Sequence, residues 1–367
     1  MAPASNPLSI PPSIDDVSNE WLGKTLGASV TRQNRTQIGQ GVGLMGDIYR
    51  VSVEYAQPAS AELPASVVVK LPSTAEENRE QGVALGMFEA EVRFYKELAP
   101  QAKVGLPQVF HADVEAGTAN FVIVMEDLTD MTMVNQSDGM TGEQALAVVR
   151  VLASIHAVWW NKVDTPDLDW LPTMSGPRTD FVNQFLPQVF PTFKTNFGAG
   201  LPAGGIEIYE AFLGNYTKIN EQITARSPWT LAHQDFRVEN LMFGIADPNQ
   251  VVVLDWQGVG RGPGAFDLGY VLGGSMEPEV RRSWEDRLLA AYHEALTSNG
   301  VEGYTLAQLK EDYAHSHLMG GLAIGILTGG SFDLSNERGA ELVKTMANRH
   351  VIAALDHGAA ERLAAIV

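Results

Sequence analysis

His233-Gln-Asp235-Phe-Arg-Val-Glu-Asn240 is followed by the apolar run Val251-Val-Val-Leu254, which ends in Asp255-Trp256. One acid stands five positions before an asparagine, and a second acid comes fifteen positions after that asparagine. Short strands are expected beside both acids, so the fold has to carry them on loops at strand ends. Such a set has a specific chemistry. One carboxylate orients an attacking hydroxyl and accepts its proton, while an amide oxygen and a second carboxylate hold the cation that neutralises phosphates. The plain alternative is that Asp235 caps a turn and Asp255 ends a strand with no shared purpose. The upstream sequence decides against it.

A histidine, an acid two residues on, then four residues and an asparagine is the pattern of a kinase catalytic loop. The other parts of such an enzyme occur upstream in the same order. Gly41-Val-Gly43-Leu-Met-Gly46 fits G-x-G-x-x-G. That pattern also fits dinucleotide-binding folds, where the glycines open a helix. Here they open a strand, Asp47 to Tyr55, as in the glycine-rich hairpin that covers nucleotide phosphates. Glycine lets the backbone approach phosphate oxygens without a Cβ. Lys70 ends the apolar strand Val67-Val-Val69, 24 residues after Gly46, and matches the strand lysine that pairs with phosphates. Its alternative is a side chain snorkelling to solvent. The lysine's partner is a glutamate on the next helix, Glu91 or Glu89. Glu91 is preferred because Phe94 and Tyr95 anchor that helix. Phe121-Val-Ile-Val-Met125-Glu126-Asp127 reads as a hinge whose backbone holds adenine, or as an ordinary edge strand.

The 367 residues are enough for two domains with separate cores, and a 45% hydrophobic content is that of a globular chain. The net charge of −19, from 25 basic and 44 acidic residues, argues against a nucleic-acid binder. The absence of cysteine excludes disulfides, thiolate metal sites and cysteine nucleophiles. The first residues do not read as a secretory signal, and the apolar run 318–330 is too short to span a bilayer. The expectation is a cytoplasmic protein without membrane insertion. Nothing in the sequence specifies an oligomeric state.

Residues 1–12 read as a loose tail. Ser13-Ile-Asp-Asp16 resembles a capping box that starts a short helix to Leu22. Tyr49, Val51, Val53 and Tyr55 alternate with polar residues, which marks a half-buried strand. Further strands are expected at 66–71, 108–113 and 121–125, with a helix over 80–98. Beyond Leu128 a polar loop follows, and Thr141-Gly-Glu-Gln144 is a capping box opening a long helix to about Trp160. Helical spacing returns at 204–225, 277–299, 305–328 and 337–364. This pattern predicts an α+β chain in two parts. A β-rich nucleotide-binding lobe covers 1–128, and a helical catalytic and substrate lobe covers 129–367. Such inter-lobe clefts favour ligand pockets.

Gly43-Leu-Met-Gly46-Asp-Ile-Tyr-Arg50, Glu91-Val-Arg-Phe-Tyr95, His233-Gln-Asp235-Phe-Arg237 and Leu254-Asp255-Trp256-Gln257 together resemble the aminoglycoside phosphotransferase and choline kinase-like family. They look most like its ecdysteroid-kinase-like branch, and also resemble phosphotransferase domains fused to some acyl-CoA dehydrogenases. The resemblance covers about residues 35–275. It implies a protein-kinase-like two-lobe fold and ATP-dependent phosphorylation of a small-molecule hydroxyl. Asp235 is then the catalytic base, and Asn240 and Asp255 are the magnesium ligands. Gln234 departs from the family's usual His-Gly-Asp and adds bulk beside the base. Gly262-Pro-Gly-Ala-Phe-Asp267-Leu-Gly-Tyr270 resembles the family segment in which the acid bonds the catalytic-loop backbone. His233 is read as ordering that loop. Arg237 either holds an anion or pairs with Glu239.

His156 is expected to be a satisfied core residue, and His315 and His317 cannot share a helix face for a metal. Met131 and Met133 flank a pocket or fill gaps. A different class of function, a non-catalytic nucleotide-binding scaffold, predicts loss of the lysine, base or metal ligands, and all are present. A protein kinase is disfavoured because Asp255-Trp-Gln replaces Asp-Phe-Gly and no Ala-Pro-Glu follows. A cationic aminoglycoside, a steroid-like or lipid-like alcohol and a hydroxyacyl thioester all remain open as phosphate acceptor, as does ATP against GTP as donor.

Overall fold

Val51 and Val53 are buried while Arg50, Ser52 and Glu54 between them are exposed, so this strand has a core face and a solvent face. It belongs to a computed structural model that describes residues 8–39, 46–56, 63–102, 105–331 and 337–367. The chain divides into two compact units. One comprises Met1–Gln101, Leu106–Thr129 and Asp255–Gln257; the other comprises Ala102–Gly105, Asp130–Leu254 and Gly258–Val367.

In the first unit, α1 (Asn19–Leu26) precedes β1 (Val30–Ile38), β2 (Gly46–Tyr55) and β3 (Ser66–Pro72). Then come α2 (Glu76–Ala84), α3 (Met87–Arg93), β4 (Val109–Val114) and β5 (Phe121–Glu126). The strands form one antiparallel sheet in the order β1-β2-β3-β5-β4. Trp21, Leu22 and Leu26 of α1 pack with Val51, Val67, Val69, Val122 and Val124 from the sheet. Three details differ from the sequence expectation. Ser13 does not open α1: its hydroxyl bonds Asp16 across a 3-10 turn, and Ser18 caps the helix by accepting from Trp21 N. β1 was not anticipated, because an edge strand with mostly exposed residues shows no apolar alternation. The helix expected over 80–98 breaks at Gly86, which has φ +66°, and α3 ends in a π-helical turn, Phe94–Leu98.

The second unit begins with β6 (Met131–Met133), inside the stretch expected to be a polar loop. α4 (Gly142–Trp159) follows, with both halves of its Thr141/Gln144 capping box formed. Next are α5 (Pro177–Phe197), α6 (Gly205–Phe212) and α7 (Tyr216–Thr224), then β7 (Trp229–Ala232), β8 (Leu241–Gly244), β9 (Val251–Val253) and β10 (Gly260–Pro263). The rest is helical: α8 (Gly264–Gly274), α9 (Pro278–Ser298), α10 (Leu306–Ser316), α11 (Gly320–Ser331), α12 (Glu337–Asp356) and α13 (Ala359–Ile366). β10 pairs with β7, and β6-β8-β9 form a small antiparallel sheet. α5 escaped the sequence reading because Pro187 and Pro191 interrupt its pattern. It is kept by packing: Leu186, Phe190 and Phe193 join the core made with α6, α7 and α11. The spans 305–328 and 337–364 each contain two helices, the second pair separated at Gly358 with φ +69°.

Met131 is buried and Met133 is 47% exposed. His156 is buried in the core of this unit. Its Nδ1 lies 2.7 Å from the Tyr292 hydroxyl and its Nε2 lies 3.2 Å from Asp267.

His350 of α12 packs where α8 and α11 present glycines. A Cβ on Gly274 or Gly321 would come 2.4 Å from its ring. Burial, and then the neighbouring Arg349 charge, push its pKa down to about 3. The unfolded chain takes up that proton near the ordinary value of about 6.5, so this stability is present above pH 6.5 and is lost as pH falls toward 3. Between pH 7 and pH 5 the wild type should lose about 2 kcal/mol more unfolding free energy than His350→Asn. Urea unfolding of both proteins at the two pH values checks this, and equal losses would refute it.

Candidate active site

A lysine ammonium can be buried only if carboxylates surround it. Lys70, 7% exposed, lies on β3, and its Nζ lies 2.9 and 2.7 Å from the two oxygens of Glu91 on α3. A third contact, 2.8 Å, reaches Asp255 Oδ1. Burial alone would lower the lysine pKa, but Asp255 and Glu91 reverse that and hold it above its ordinary value. Burial pushes the Glu91 carboxyl up, opposed by the lysine charge. Lys70 therefore stays an ammonium. Glu89 points elsewhere, 3.9 Å from Arg93 and 41% exposed, so Glu91 is the lysine's partner. Phe94 stacks on Trp256 with centroids 3.9 Å apart, which fixes the residue next to Asp255 in the first unit.

Gly46 begins β2 beside this group. A Cβ there would meet Leu71 O at 2.9 Å and Lys70 Cε at 3.3 Å, so no larger residue fits without displacing the lysine. Gly41 and Gly43 lie outside the described residues. Met125, Glu126 and Asp127 stand at the end of β5. Met125 is buried, and Glu126 takes Gln108 N on its carboxylate at 2.7 Å. Asp127 accepts two bonds from Arg50 and one from Ser66. The two acidic side chains are thus committed within the unit.

In the second unit the chain leaves β7 into the loop His233–Asn240. Gln234 has φ +67°, a left-handed conformation unusual for any residue but glycine. Two bonds to one carboxylate hold it there. Asp267, with no exposure, accepts His233 N at 2.7 Å and Gln234 N at 2.9 Å. His233 ties the loop forward through Nε2 to Leu254 O at 2.9 Å, and its Nδ1 receives Asp235 N at 3.3 Å. Asn240 Nδ2 donates to Asp235 O at 2.8 Å and to Asp235 Oδ2 at 3.0 Å. Arg237 pairs with Glu239 and stands 3.5 Å from Asp235 Oδ2, so its charge serves the loop itself.

The structure brings Gly46, Lys70, Glu91 and Asp255 together in the first unit, and Asp235 with Asn240 in the second. The sequence reading missed Tyr270, whose hydroxyl donates to Asp235 Oδ1 at 3.1 Å. Its signal was position: three residues after Asp267 on a helix, Tyr270 shares that residue's face. A cavity of about 360 Å³ in the second unit is lined by Trp160, Arg226, Tyr304 and Asp312, and includes no residue of the 233–240 loop.

The family model of the ecdysteroid kinase-like family matches residues 40–301. The chain belongs to this family. The ecdysteroid kinase-like chain is also similar to solved structures with a protein-kinase-like fold. One is a Ralstonia eutropha JMP134 protein provisionally named an aminoglycoside phosphotransferase, with TM-score 0.55, 14% identity and coverage of 92% of this chain and 97% of that one. Another is choline kinase from Cryptosporidium parvum Iowa II, with TM-score 0.53, 12% identity and coverage of 91% of each chain. At these identities the likeness establishes the fold: protein-kinase-like, α+β, β-rich toward the N-terminus and mostly helical beyond. A curated relative from Caenorhabditis elegans, named uncharacterized oxidoreductase dhs-27, is 23% identical over 319 residues. That match covers 77% of this chain, and the chain spans 38% of that protein's length.

Asp267→Asn keeps the shape but turns an acceptor into a group that cannot receive both amides. Each unsatisfied buried amide costs roughly 1–3 kcal/mol, so unfolding free energy should fall by at least that much. Hydrogen exchange at His233 and Gln234 should accelerate; unchanged exchange there would show that the loop holds itself.

Proposed function

We propose that the protein transfers the γ-phosphoryl group of ATP to a hydroxyl of a small molecule. The observation that carries this reading is the buried Lys70–Glu91 pair with the half-buried Asp255 on the same ammonium. One ammonium there faces two carboxylates, a surplus of negative charge that suits a bound divalent cation. Lys70 then serves the phosphates, with Glu91 keeping its position. The glycine pattern at Gly41, Gly43 and Gly46 is assigned by sequence to the same phosphates, and the backbone of Met125, Glu126 and Asp127 to the adenine.

Asn240 and Asp255 fit magnesium by donor chemistry, since both offer the hard oxygens that this ion prefers. Asn240 spends its nitrogen on Asp235, which leaves the amide oxygen as the atom for the metal. Magnesium held by these two residues would supply positive charge to the phosphate oxygens. Asp235 accepts the proton of the acceptor hydroxyl as its oxygen bonds to the γ-phosphorus, and the bond to the β-phosphate oxygen breaks to release ADP. The residues contribute by positioning and electrostatics, as in other phosphoryl transfers.

In this reading the chain to residue 128 is the nucleotide-binding lobe, and 129–367 supplies the base and the acceptor site. The acceptor is a small hydroxylated molecule, with neither nucleic acid nor membrane as partner. No described helix is long and apolar enough to cross a membrane, and we read the enzyme as cytoplasmic.

Magnesium-ATP should raise the melting temperature, because a ligand that binds the native state alone stabilises it by mass action. Lys70→Ala and Asp255→Asn should each shrink that rise. A wild-type melting temperature insensitive to saturating magnesium-ATP, together with silent calorimetry, would sink the kinase reading.

Asp235→Asn removes the proton acceptor and leaves Lys70 and Asp255 intact. In a screen of hydroxylated metabolites with mass detection of phosphorylated product, its turnover should fall roughly 10²–10⁴-fold, the usual contribution of a general base. The melting shift with magnesium-ATP should persist. A scaffold would show the shift without turnover in the wild type as well.

A further inference from the structure

The carboxylate of Asp235 is held on both oxygens. Oδ2 receives Asn240 Nδ2 at 3.0 Å, with Arg237 Nε at 3.5 Å. Oδ1 receives the Tyr270 hydroxyl at 3.1 Å. The terminal torsion of an aspartate is broad and two-fold, so a lone bond to one oxygen would leave the other free to swing. Two bonds from opposite sides fix the plane of the group. The Tyr270 ring is 4% exposed and lies beside Phe266 and His350. Burial, and then the Asp235 charge, hold its phenol well above the ordinary tyrosine pKa, so it donates at every physiological pH.

Resting on the kinase reading above, we infer that Tyr270 is a positioning residue that orients the Asp235 carboxylate toward the acceptor hydroxyl. α8 grips the loop at two levels. Asp267 takes the backbone amides of His233 and Gln234, and Tyr270, three residues on, takes the side chain of Asp235. The two tasks are separable. Asp267 keeps the loop in place without the phenol, while the aromatic packing of residue 270 needs only the ring. The hydroxyl therefore contributes to the base alone, and it transfers no proton.

Tyr270→Phe tests this, since it keeps the ring and removes the hydroxyl. Hydrogen bonds to charged groups are worth about 1.5–3 kcal/mol, so turnover should fall roughly tenfold or more. The KM for ATP should stay within about twofold, since the residue touches Asp235 and not the nucleotide. Tyr270→Phe should cost nothing further in the Asp235→Asn background, because a residue acting through another loses its effect when that other is gone. An additive loss would mean a general structural role and overturn the inference. A second measurement needs no acceptor: 3-fluorotyrosine at position 270 should shift its ¹⁹F resonance when Asp235 is replaced by Asn. An unmoved resonance would show that the hydroxyl is not on Asp235. Wild-type turnover in Tyr270→Phe beside a dead Asp235→Asn overturns this inference alone. Full turnover in Asp235→Asn overturns the base assignment and this inference together.

Discussion

Asp267 is a charge with no exposure to water, and the shape of the 233–240 loop depends on how that charge is satisfied. A buried carboxylate is tolerated only when hydrogen bonds replace its lost hydration. Here the replacements are His233 N, Gln234 N and, on the other side, His156 Nε2. His156 in turn meets the Tyr292 hydroxyl, so the chain of bonds runs from α9 through α4 and α8 to the loop. Tyr292, His156, Asp267 and His233 are all buried, which makes the arrangement stiff. That stiffness keeps Gln234 in a backbone conformation it would not otherwise adopt, and so fixes the next residue, Asp235.

The first unit solves a different electrostatic problem. Lys70, Glu91 and Asp255 place one positive and two negative groups in a region largely shut off from water. The Lys70–Glu91 pair is close to self-contained, with both carboxylate oxygens on the ammonium. Asp255 is the surplus charge. It too has a left-handed backbone, φ +63°, and its neighbour Trp256 is locked on Phe94. Lys70 Nζ and Gln257 Nε2 take its two oxygens and the aromatic stack holds its neighbour, so the orientation of Asp255 is set by contacts within the first unit.

The residues whose chemistry is local could be read from the sequence. The strand that carries Lys70 was legible from its apolar run Val67-Val-Val69, and the capping box at Thr141 because its bonds lie within one helical turn. What could not be read depends on long-range packing. α5 survives two internal prolines only because its phenylalanines are buried by helices far along the chain. β1 is a strand because β2 pairs with it, not because of any apolar alternation of its own. Ser13 carries the helix-start signal, yet the helix starts after Ser18, where Trp21 and Leu22 are buried against the sheet. Choosing Glu91 over Glu89 needed the facing of α3, which an anchor at Phe94 and Tyr95 suggested and the geometry supplied. The Tyr270–Asp235 bond joins residues 35 apart and left only a helical spacing as its trace.

Gln234 shows how these constraints combine beside Asp235. A left-handed non-glycine residue costs on the order of 1 kcal/mol or more, a cost that glycine at this position would avoid. The penalty is met by the two Asp267 bonds, one of them to the amide of Gln234 itself. The side chain also needs room, and Gly260 provides it: a Cβ on that residue would fall 2.0 Å from Gln234 Nε2. Residue 260 in turn pairs across β10 with Ala232, directly before the loop. The larger residue at 234 is therefore compatible with this loop only while 260 stays glycine and 267 stays a carboxylate. Residues 260 and 267, remote in sequence from the loop, are thereby tied to the placement of Asp235.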